Sequence, residues 1–449
     1  MTRILYWAAP ALLLVVSAPA QALEAETHAG LTEQAAFGST LHRRLAERLG
    51  RTMGLYEPLR LQLHTERGDG DADADLRQRL RQLDPEGGYA PEGGRQTALG
   101  WLVAGAVLEA VPAVRSRNHF FDPRDGQGLH QDQDSSALRT RIAAASSGIG
   151  SIRGVFTGAN FDGTGRSALD WLQAPRSEND WGLRRFLDER ERAGAAERRL
   201  DRDDATARSL LAAGAIVRLL EELGDPAMVR NDYREAFERQ GGPFGRFLAA
   251  RYGRLGVPEP SHAGTPTRLL DLFHSPSGRG LADRTQRRFF SPGTLPPSTV
   301  YPQPAGRLHD GYLVSDEVSA LARVTPAGAV LDERCHLAYA KLLLPEIAEY
   351  AAAALDLLFR GHLELRARDG RVRAVVRELP LGTGSLAWYV DDSDGKRRLI
   401  DRRTLDGAGV GDVVLEAELP SAARRLTLVF RGRDGVGDEL VIVEELPIL

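Results

Sequence analysis

The chain has only one cysteine and lacks the common catalytic sequence motifs. It contains one cysteine, Cys335, among 449 residues, so no intrachain disulfide can form and its stability must come from packing. It has no HExxH, GxSxG or P-loop pattern, which leaves out the common signatures of metalloproteases, serine hydrolases and nucleotide-binding proteins. No internal repeat is found either.

The chain also lacks an excess of positive charge. Its formal net charge is −4, and removal of residues 1–22, whose only charged residue is Arg3, gives −4 − 1 = −5. Proteins that bind nucleic acid or anionic membranes by bulk attraction have basic surfaces, so the charge does not indicate a nucleic-acid partner. With 42% hydrophobic and 27% charged residues, the chain can bury substantial cores, and its length predicts two domains.

The longest uncharged apolar run lies at the N-terminus. It follows Arg3, reads ILYWAAPALLLVV over residues 4–16, and is followed by small residues that end in Ala-Gln-Ala at position 22. This pattern is typical of a secretory signal peptide cleaved after Ala22. We therefore expect a protein exported to the periplasm or beyond the cell, with no transmembrane segment in the mature chain.

The periodicity of apolar residues predicts a mainly α-helical chain with a small β domain at its end. Residues 23–360 are expected to form one large helical domain in which Pro345 breaks or kinks the last helix. Residues 255–310 are rich in Pro, Gly and Ser and predict long loops. Alternating runs separated by Asp-Gly turns follow Gly361, so residues 361–449 are predicted to form an antiparallel β-sandwich. The helices are predicted at 30–50, 97–111, 136–147, 180–199, 205–223, 229–252 and 334–360.

The most informative segment covers residues 212–233. Leu, Ala and Val residues predict a helix that begins with Asp203 or Asp204 as N-cap and ends at Gly224 and Pro226. Arg218 and Glu222 are four residues apart, so they lie on one face of that helix. One interpretation is an exposed ion pair that contributes little to stability. The other is a buried ion pair at a former functional site.

Several separated blocks resemble, in order, the zinc-dependent phospholipase C and single-strand nuclease superfamily, in its secreted bacterial branch. PAMVRND resembles a family loop of the type PxHxRND, and ETHAGLTEQAA resembles THxxLTxxA. GAVLEA and NHFFDP resemble GAxxED followed by NHFYDP. A further stretch, LAYAKLLLPEIAEYAAAALDLLFRG, is similar to one in secreted members. The resemblance implies a phospholipase C-like helical fold and a phosphodiesterase ancestry with phospholipid or nucleic-acid substrates.

The resemblance places His28 and His119 at metal-ligand positions of the family. Glu222 stands where the family has an Asp ligand, and Asp122 lies beside the second histidine. Zinc prefers imidazole nitrogen and carboxylate oxygen, so His28, His119 and Glu222 are the candidate metal ligands. Glu222 and Asp122 are the candidate catalytic carboxylates, the latter by orienting a ligand.

Other ligand positions of the family have changed in this chain. Arg218 stands in place of a zinc-binding His, Met228 in place of a second His, and Ala110 in place of an acidic ligand. The family's final Glu has no secure match, and Gly245 lies near its expected place. The zinc site is therefore degenerate, and Arg218 is predicted to be a built-in counter-ion for Glu222.

Three functions follow as hypotheses. The first is an exported, non-catalytic homologue without a cofactor, whose cleft binds a phospholipid or another phosphorylated ligand through Arg218 and Arg230. The second is a phosphodiester hydrolase with one remaining metal ion, zinc in the first place, held by His28, His119 and Glu222. In the third, the β-sandwich is an adhesion or partner-binding module on a helical scaffold.

Overall fold

The computed structural model describes residues 25–63, 76, 79–80, 94–111, 113–130, 165–232, 242–258, 260, 265–298, 300–421 and 423–448. A helical domain is followed by antiparallel sheets. The helices are α1 Ala25–Gly38, α2 Leu41–Arg48, α3 Ala98–Leu108, α4 Ala168–Gln173, α5 Leu183–Ala195, α6 Arg199–Glu222, α7 Pro226–Val229, α8 Gly242–Leu255, α9 Leu269–Phe273, α10 Leu281–Arg288 and α11 Glu333–Leu358.

The strands form four antiparallel sheets. A two-stranded ribbon and a four-stranded sheet lie within the helical part, and the other two sheets belong to the C-terminal domain. The strands are β1 Pro58–Arg60, β2 Arg95–Thr97, β3 Arg307–His309, β4 Tyr312–Val314, β5 Ala322–Thr325, β6 Gly328–Val330, β7 Leu363–Arg368, β8 Arg371–Val376, β9 Leu381–Asp391, β10 Arg397–Leu405, β11 Val413–Glu418, β12 Arg425–Asp434 and β13 Glu439–Pro447.

The centre of the helical domain is a close crossing of α3 and α6. A Cβ atom at Gly105 would lie 2.0 Å from the carbonyl oxygen of Leu211, and one at Gly214 would lie 1.9 Å from the carbonyl oxygen of Leu102. Only glycine permits backbones to approach so closely. The crossing places the C-terminal end of α3 next to the last turns of α6, where the candidate site lies.

Gly214→Ala should therefore lower the free energy of unfolding by at least about 3 kcal/mol, since the new methyl group meets backbone atoms that cannot move aside. Gly253→Ala is the matched control, because the space around this exposed helical glycine is open; it should be neutral or stabilise by up to about 1 kcal/mol. Denaturant unfolding measures both. Equal effects of the two substitutions would contradict the close crossing.

Helix α6 is buried along most of its length and begins earlier than predicted. It starts at Arg199, so the predicted N-caps Asp203 and Asp204 lie inside the helix. Both carboxylates are paired with arginines: Arg51 Nη1 lies 2.5 Å from Asp203, and Arg208 Nε lies 3.0 Å from Asp204. These carboxylates are engaged by guanidinium groups and do not cap the helix.

The predicted stop of α6 is confirmed. The helix ends at Glu222, and Asp225 then caps the short helix α7 by accepting a hydrogen bond from the Ala227 amide at 2.8 Å. Pro226 occupies the first position of α7, where its fixed φ and missing N–H are favourable.

Three other helical predictions need correction. The helix predicted over 229–252 is not continuous, because residues 230–232 are not helical and α8 begins at Gly242 within the described residues. The helix predicted over 30–50 is two helices, α1 and α2, separated where Thr40 donates its amide and hydroxyl to Asp356 of α11. Helix α11 continues through Pro345 without a break. The proline removes the hydrogen bond to the carbonyl of Lys341, but that residue is exposed, so water can replace it. The helix predicted over 136–147 lies outside the described residues.

The segment 255–310 is less irregular than predicted. It contains α9 and α10, and residues 307–330 form the unpredicted sheet β3-β4-β5-β6. Strands of three or four residues are too short to produce a readable alternation of apolar and polar residues.

The C-terminal domain consists of two antiparallel sheets with strand orders β10-β9-β12-β13 and β11-β8-β7. Side chains from both sheets, such as Val376 and Phe430, share one apolar core, which is the arrangement of a β-sandwich. The outer face of the four-stranded sheet packs on α5, where Val429 and Val443 surround Gly194. The two domains therefore share a continuous apolar core at this face.

Among the described residues, none of the helices is both long enough and apolar enough to span a bilayer.

Candidate functional site

Six buried polar side chains meet where α1, α3 and α6 come together, and we name them the central cluster. All are 0% exposed. One lies on α1, one caps the end of α3, one follows the 3₁₀ helix 113–118, and three lie in the last two turns of α6. The members are His28, Glu109, His119, Arg218, Glu221 and Glu222.

The Arg218–Glu222 pair exists as the four-residue spacing predicts, and it is buried, so the exposed-pair interpretation is wrong. Nη2 of Arg218 donates to Oε1 of Glu222 at 2.9 Å. Nη1 donates to the carbonyl oxygen of Ala106 at 3.2 Å, which lies in the last turn of α3 and has no helical partner of its own. The guanidinium thus links α6 to α3.

His28 stands between two carboxylates. Its Nδ1 lies 2.5 Å from Oε2 of Glu221, and its Nε2 lies 3.3 Å from Oε1 of Glu222. The hydroxyl of Thr32, one turn further along α1, donates to the other oxygen of Glu221 at 2.9 Å. The helix predicted to begin at residue 30 begins at Ala25, so His28 lies inside α1 and not ahead of it.

Glu109 holds the other side of the cluster. It accepts hydrogen bonds from Nη2 of Arg115 at 2.6 Å and from the indole of Trp171 at 2.8 Å. Nε2 of His119 lies 3.5 Å away, and Nδ1 of His119 lies 3.7 Å from Glu222. His119 therefore sits between the two carboxylates, and neither of its nitrogens makes a hydrogen bond within the part of the chain described.

Two carboxylates of the cluster are kept ionised by neighbouring groups of the protein. Burial alone would raise the pKa of Glu222, but Arg218 and His28 keep it well below the usual range. Burial would also raise the pKa of Glu109, yet Arg115 and His119 lower it to about 2. Each of these ionised carboxylates has one guanidinium partner.

The third carboxylate, Glu221, is paired with His28 and Thr32. Burial raises the pKa of Glu221, and the hydrogen bonds from His28 and Thr32 offset only part of this effect. Each of the three carboxylates of the cluster therefore has a partner within the protein.

The residues present do not fit a zinc cluster of the family type. Glu222, the central carboxylate, already accepts from a guanidinium. A divalent cation about 4 Å from that guanidinium would be repelled by about 8 kcal/mol at an effective dielectric constant of about 20. Met228 is buried and supplies only a thioether, and Ala110 supplies nothing. No group of three or more His, Cys, Asp or Glu side chains within the described ranges is arranged to hold a metal ion.

The structure brings His28, His119, Glu222 and Arg218 together, as the sequence interpretation required. Asp122 has different partners. Its carboxylate is bound by the side chain of Arg124 and accepts from Gln286 at 2.9 Å, so it fastens the loop after His119 to α10.

Arg230, the other predicted anion contact, is 0% exposed and bound to the protein itself. It donates to the carbonyl oxygens of Gln286 and Pro302 and to the hydroxyl of Thr294, at distances of 2.5, 2.8 and 3.1 Å. Burial lowers its pKa to about 10. These contacts give Arg230 a structural role, and its binding of an anion stays a prediction.

Sequence reasoning missed Glu109, Arg115 and Glu221. The signal for Glu109 was available in GAVLEA, where the acid precedes Ala110 by one residue; Glu109 occupies the C-cap position of α3, and its carboxylate lies in the cluster. Arg115 gave no signal, since Glu109 lies six residues away without a helical repeat between them, and Asn179 and Asp180 lie more than sixty residues away.

Comparisons with known proteins leave the family unassigned. No protein-family model matches the chain, and no curated protein matches it. Among solved structures, an alpha toxin from Clostridium absonum aligns with 94% of this chain and 94% of its own length, at 10% identity and a TM-score of 0.31. A score of that size does not establish a shared fold, so the superfamily remains an interpretation of the sequence.

Arg218→Met should destabilise the protein by about 3–5 kcal/mol, because it leaves Glu222 buried without its cation. The double variant Arg218→Met/Glu222→Gln should recover at least half of that loss, since both charges are then removed. Arg43→Met, at an exposed position on α2, is the control and should change stability by less than about 0.5 kcal/mol. A single variant as stable as the wild type would show that the pair contributes little.

Arg115→Met should move acid unfolding to higher pH. The folded pKa of Glu109 lies below its ordinary value of 4.5, so its contribution is present above pH 4.5 and disappears as the pH falls toward 2. The shift corresponds to about 3 kcal/mol, most of which Arg115→Met should remove. Arg166→Met, which breaks a half-exposed pair with Glu178, should leave the acid midpoint unchanged. Identical midpoints in both variants would contradict this assignment.

Proposed function

We propose that the protein is an exported, non-catalytic homologue of the zinc-dependent phospholipase C and nuclease superfamily that binds a phospholipid or another phosphorylated ligand. One observation carries the non-catalytic part: the carboxylate at the centre of the buried cluster, Glu222, is already neutralised by Arg218 at 2.9 Å. The export, the superfamily and the ligand class rest on the sequence.

The pairing of every carboxylate in the central cluster is the physical basis of the proposal. Glu222 is paired with Arg218, Glu109 with Arg115, and Glu221 with His28. A divalent ion would add two uncompensated charges to a region without solvent, which is costly. The arrangement can hold three helices together, but it offers no activated water for phosphodiester cleavage.

A metal-dependent hydrolase with a reduced site is the second candidate, and one observation favours it. Nε2 of His28 and Nδ1 of His119 both face Oε1 of Glu222, at 3.3 and 3.7 Å, and neither nitrogen makes a hydrogen bond within the described ranges. Such separations suit ligands of a single tetrahedral ion. The guanidinium of Arg218 weighs against this alternative, because metal binding would require it either to move away from Glu222 or to remain beside the ion.

The adhesion hypothesis cannot be tested by expressing residues 361–449 alone. The outer face of the four-stranded sheet packs on α5 of the helical domain, so an isolated sandwich would expose apolar surface and could bind proteins unspecifically. Substitutions of exposed residues of the sandwich, made in the full-length chain, leave this packing on α5 intact.

Elemental analysis of the mature chain, residues 23–449, together with a diesterase assay, tests the main proposal. We expect much less than one zinc, iron or manganese ion per chain after incubation with each metal, and no hydrolysis of a chromogenic phosphodiester above the protein-free rate. The His28→Ala/His119→Ala variant should give the same metal content as the wild type. One ion per chain that is lost in this variant, with measurable hydrolysis, would establish the second candidate instead.

Export and ligand class have separate readouts. N-terminal sequencing of the secreted protein should begin at Leu23, and a retained Met1 would contradict cleavage after Ala22.

Sedimentation with phospholipid vesicles, compared with vesicles of uncharged glycolipid, tests whether the ligand is phosphorylated. Equal binding to both would exclude recognition through the phosphate.

A further inference from the structure

One buried arginine outside the central cluster, Arg190, makes no hydrogen bond or ion pair within the described residues. Arg190 lies on α5, is 4% exposed, and packs its guanidinium over the ring of Phe359 at 4.9 Å. Its Nε is buried without a hydrogen-bond partner, and no ion pair or hydrogen bond to the group is present among the described residues. Phe359 ends α11, so Arg190 lies at the junction between the helical domain and the β-sandwich.

This environment is unusual for a guanidinium, which has five N–H donors. Enclosing the cation without an acceptor costs several kcal/mol, and the ring face returns about 2 kcal/mol of this. Burial lowers the pKa of Arg190 to about 10, so the group still carries its charge at neutral pH.

The nearest acid is engaged by other groups. Glu444 of β13 accepts from Nδ1 of His362 at 2.8 Å and from the amide of Leu363 at 3.2 Å. Both donors belong to the connection that follows Phe359. Glu444 thus fastens the first strand of the sandwich and leaves Arg190 without a direct partner.

The neighbouring arginines are all engaged. Arg44 and Arg48 of α2 share the carboxylate of Glu378 and also donate to the backbone carbonyls of Phe359 and Gly361. Arg360 pairs with Asp434. Arg190 differs from them because it makes no such contact within the described residues.

We propose that Arg190 is the cationic centre of a binding site for a small inorganic oxyanion, phosphate in the first place, between α5, residues 359–363 and β13. A tetrahedral oxyanion supplies the acceptors that guanidinium donors require. Because the side chain is almost fully enclosed, the ligand is the free ion and not a phosphate carried on a larger molecule. This site is independent of the proposed function, which concerns the central cluster.

Thermal unfolding of the mature chain in increasing inorganic phosphate tests the site, with ionic strength held constant by sodium chloride. The proteins compared are the wild type, Arg190→Met, and Arg184→Met as control. Arg184 lies on the same helix but is exposed and 3.8 Å from Glu439. Phosphate also stabilises proteins unspecifically, and this effect cancels in the comparison between variants.

Phosphate should raise the Tm of the wild type and of Arg184→Met to the same extent, and that of Arg190→Met by clearly less. Without phosphate, Arg190→Met should be at least as stable as the wild type, since it removes an unpaired buried cation. Calorimetric titration should show at least a tenfold loss of phosphate affinity in Arg190→Met. Equal Tm shifts in all three proteins would overturn the proposal, as would no measurable phosphate binding to the wild type. A strong loss of stability in phosphate-free Arg190→Met would overturn it too, because Arg190 would then already have a partner.

Discussion

Carboxylates that are removed from water need a cation nearby, and the helical domain is arranged around this requirement. Glu222 and Glu109 are fully buried, and each is held ionised by one arginine, Arg218 or Arg115. A charge left without its partner would cost about 3–5 kcal/mol, which is a large part of the margin of stability of many proteins. The packing of α1, α3 and α6 therefore depends on these two ion pairs.

The close crossing of α3 and α6 explains why the pairs are so completely enclosed. Gly105 and Gly214 bring the two backbones into contact, so the last turns of α6 press against the end of α3 where Glu109 caps the helix. Arg218 fits this space because it serves two partners, a carboxylate on its own helix and a carbonyl oxygen on the other. A shorter cation could not reach both.

The sequence predicted the parts of this structure that depend on local spacing. The pairing of Arg218 with Glu222 follows from a helical repeat, and the end of α6 follows from Gly224 and Pro226. It could not predict that Arg115 neutralises Glu109 or that Arg51 pairs with Asp203, because those contacts depend on tertiary packing. The Asp204–Arg208 pair has a local four-residue spacing, but it was missed because the start of α6 was placed too late. The sheet at 307–330 was missed for another reason, since its strands are too short to show a period. Burial of the Arg218–Glu222 pair became visible only with the neighbouring helices in place.

The central claim is that a guanidinium neutralises Glu222 where a metal ion would otherwise be required. A crystal structure of the mature protein grown with zinc, with anomalous data collected on both sides of the zinc absorption edge, tests it most directly. The account predicts density for Arg218 within hydrogen-bond distance of Glu222 and no anomalous peak between His28, His119 and Glu222. A strong zinc peak bound by these three side chains, with Arg218 displaced, would contradict it.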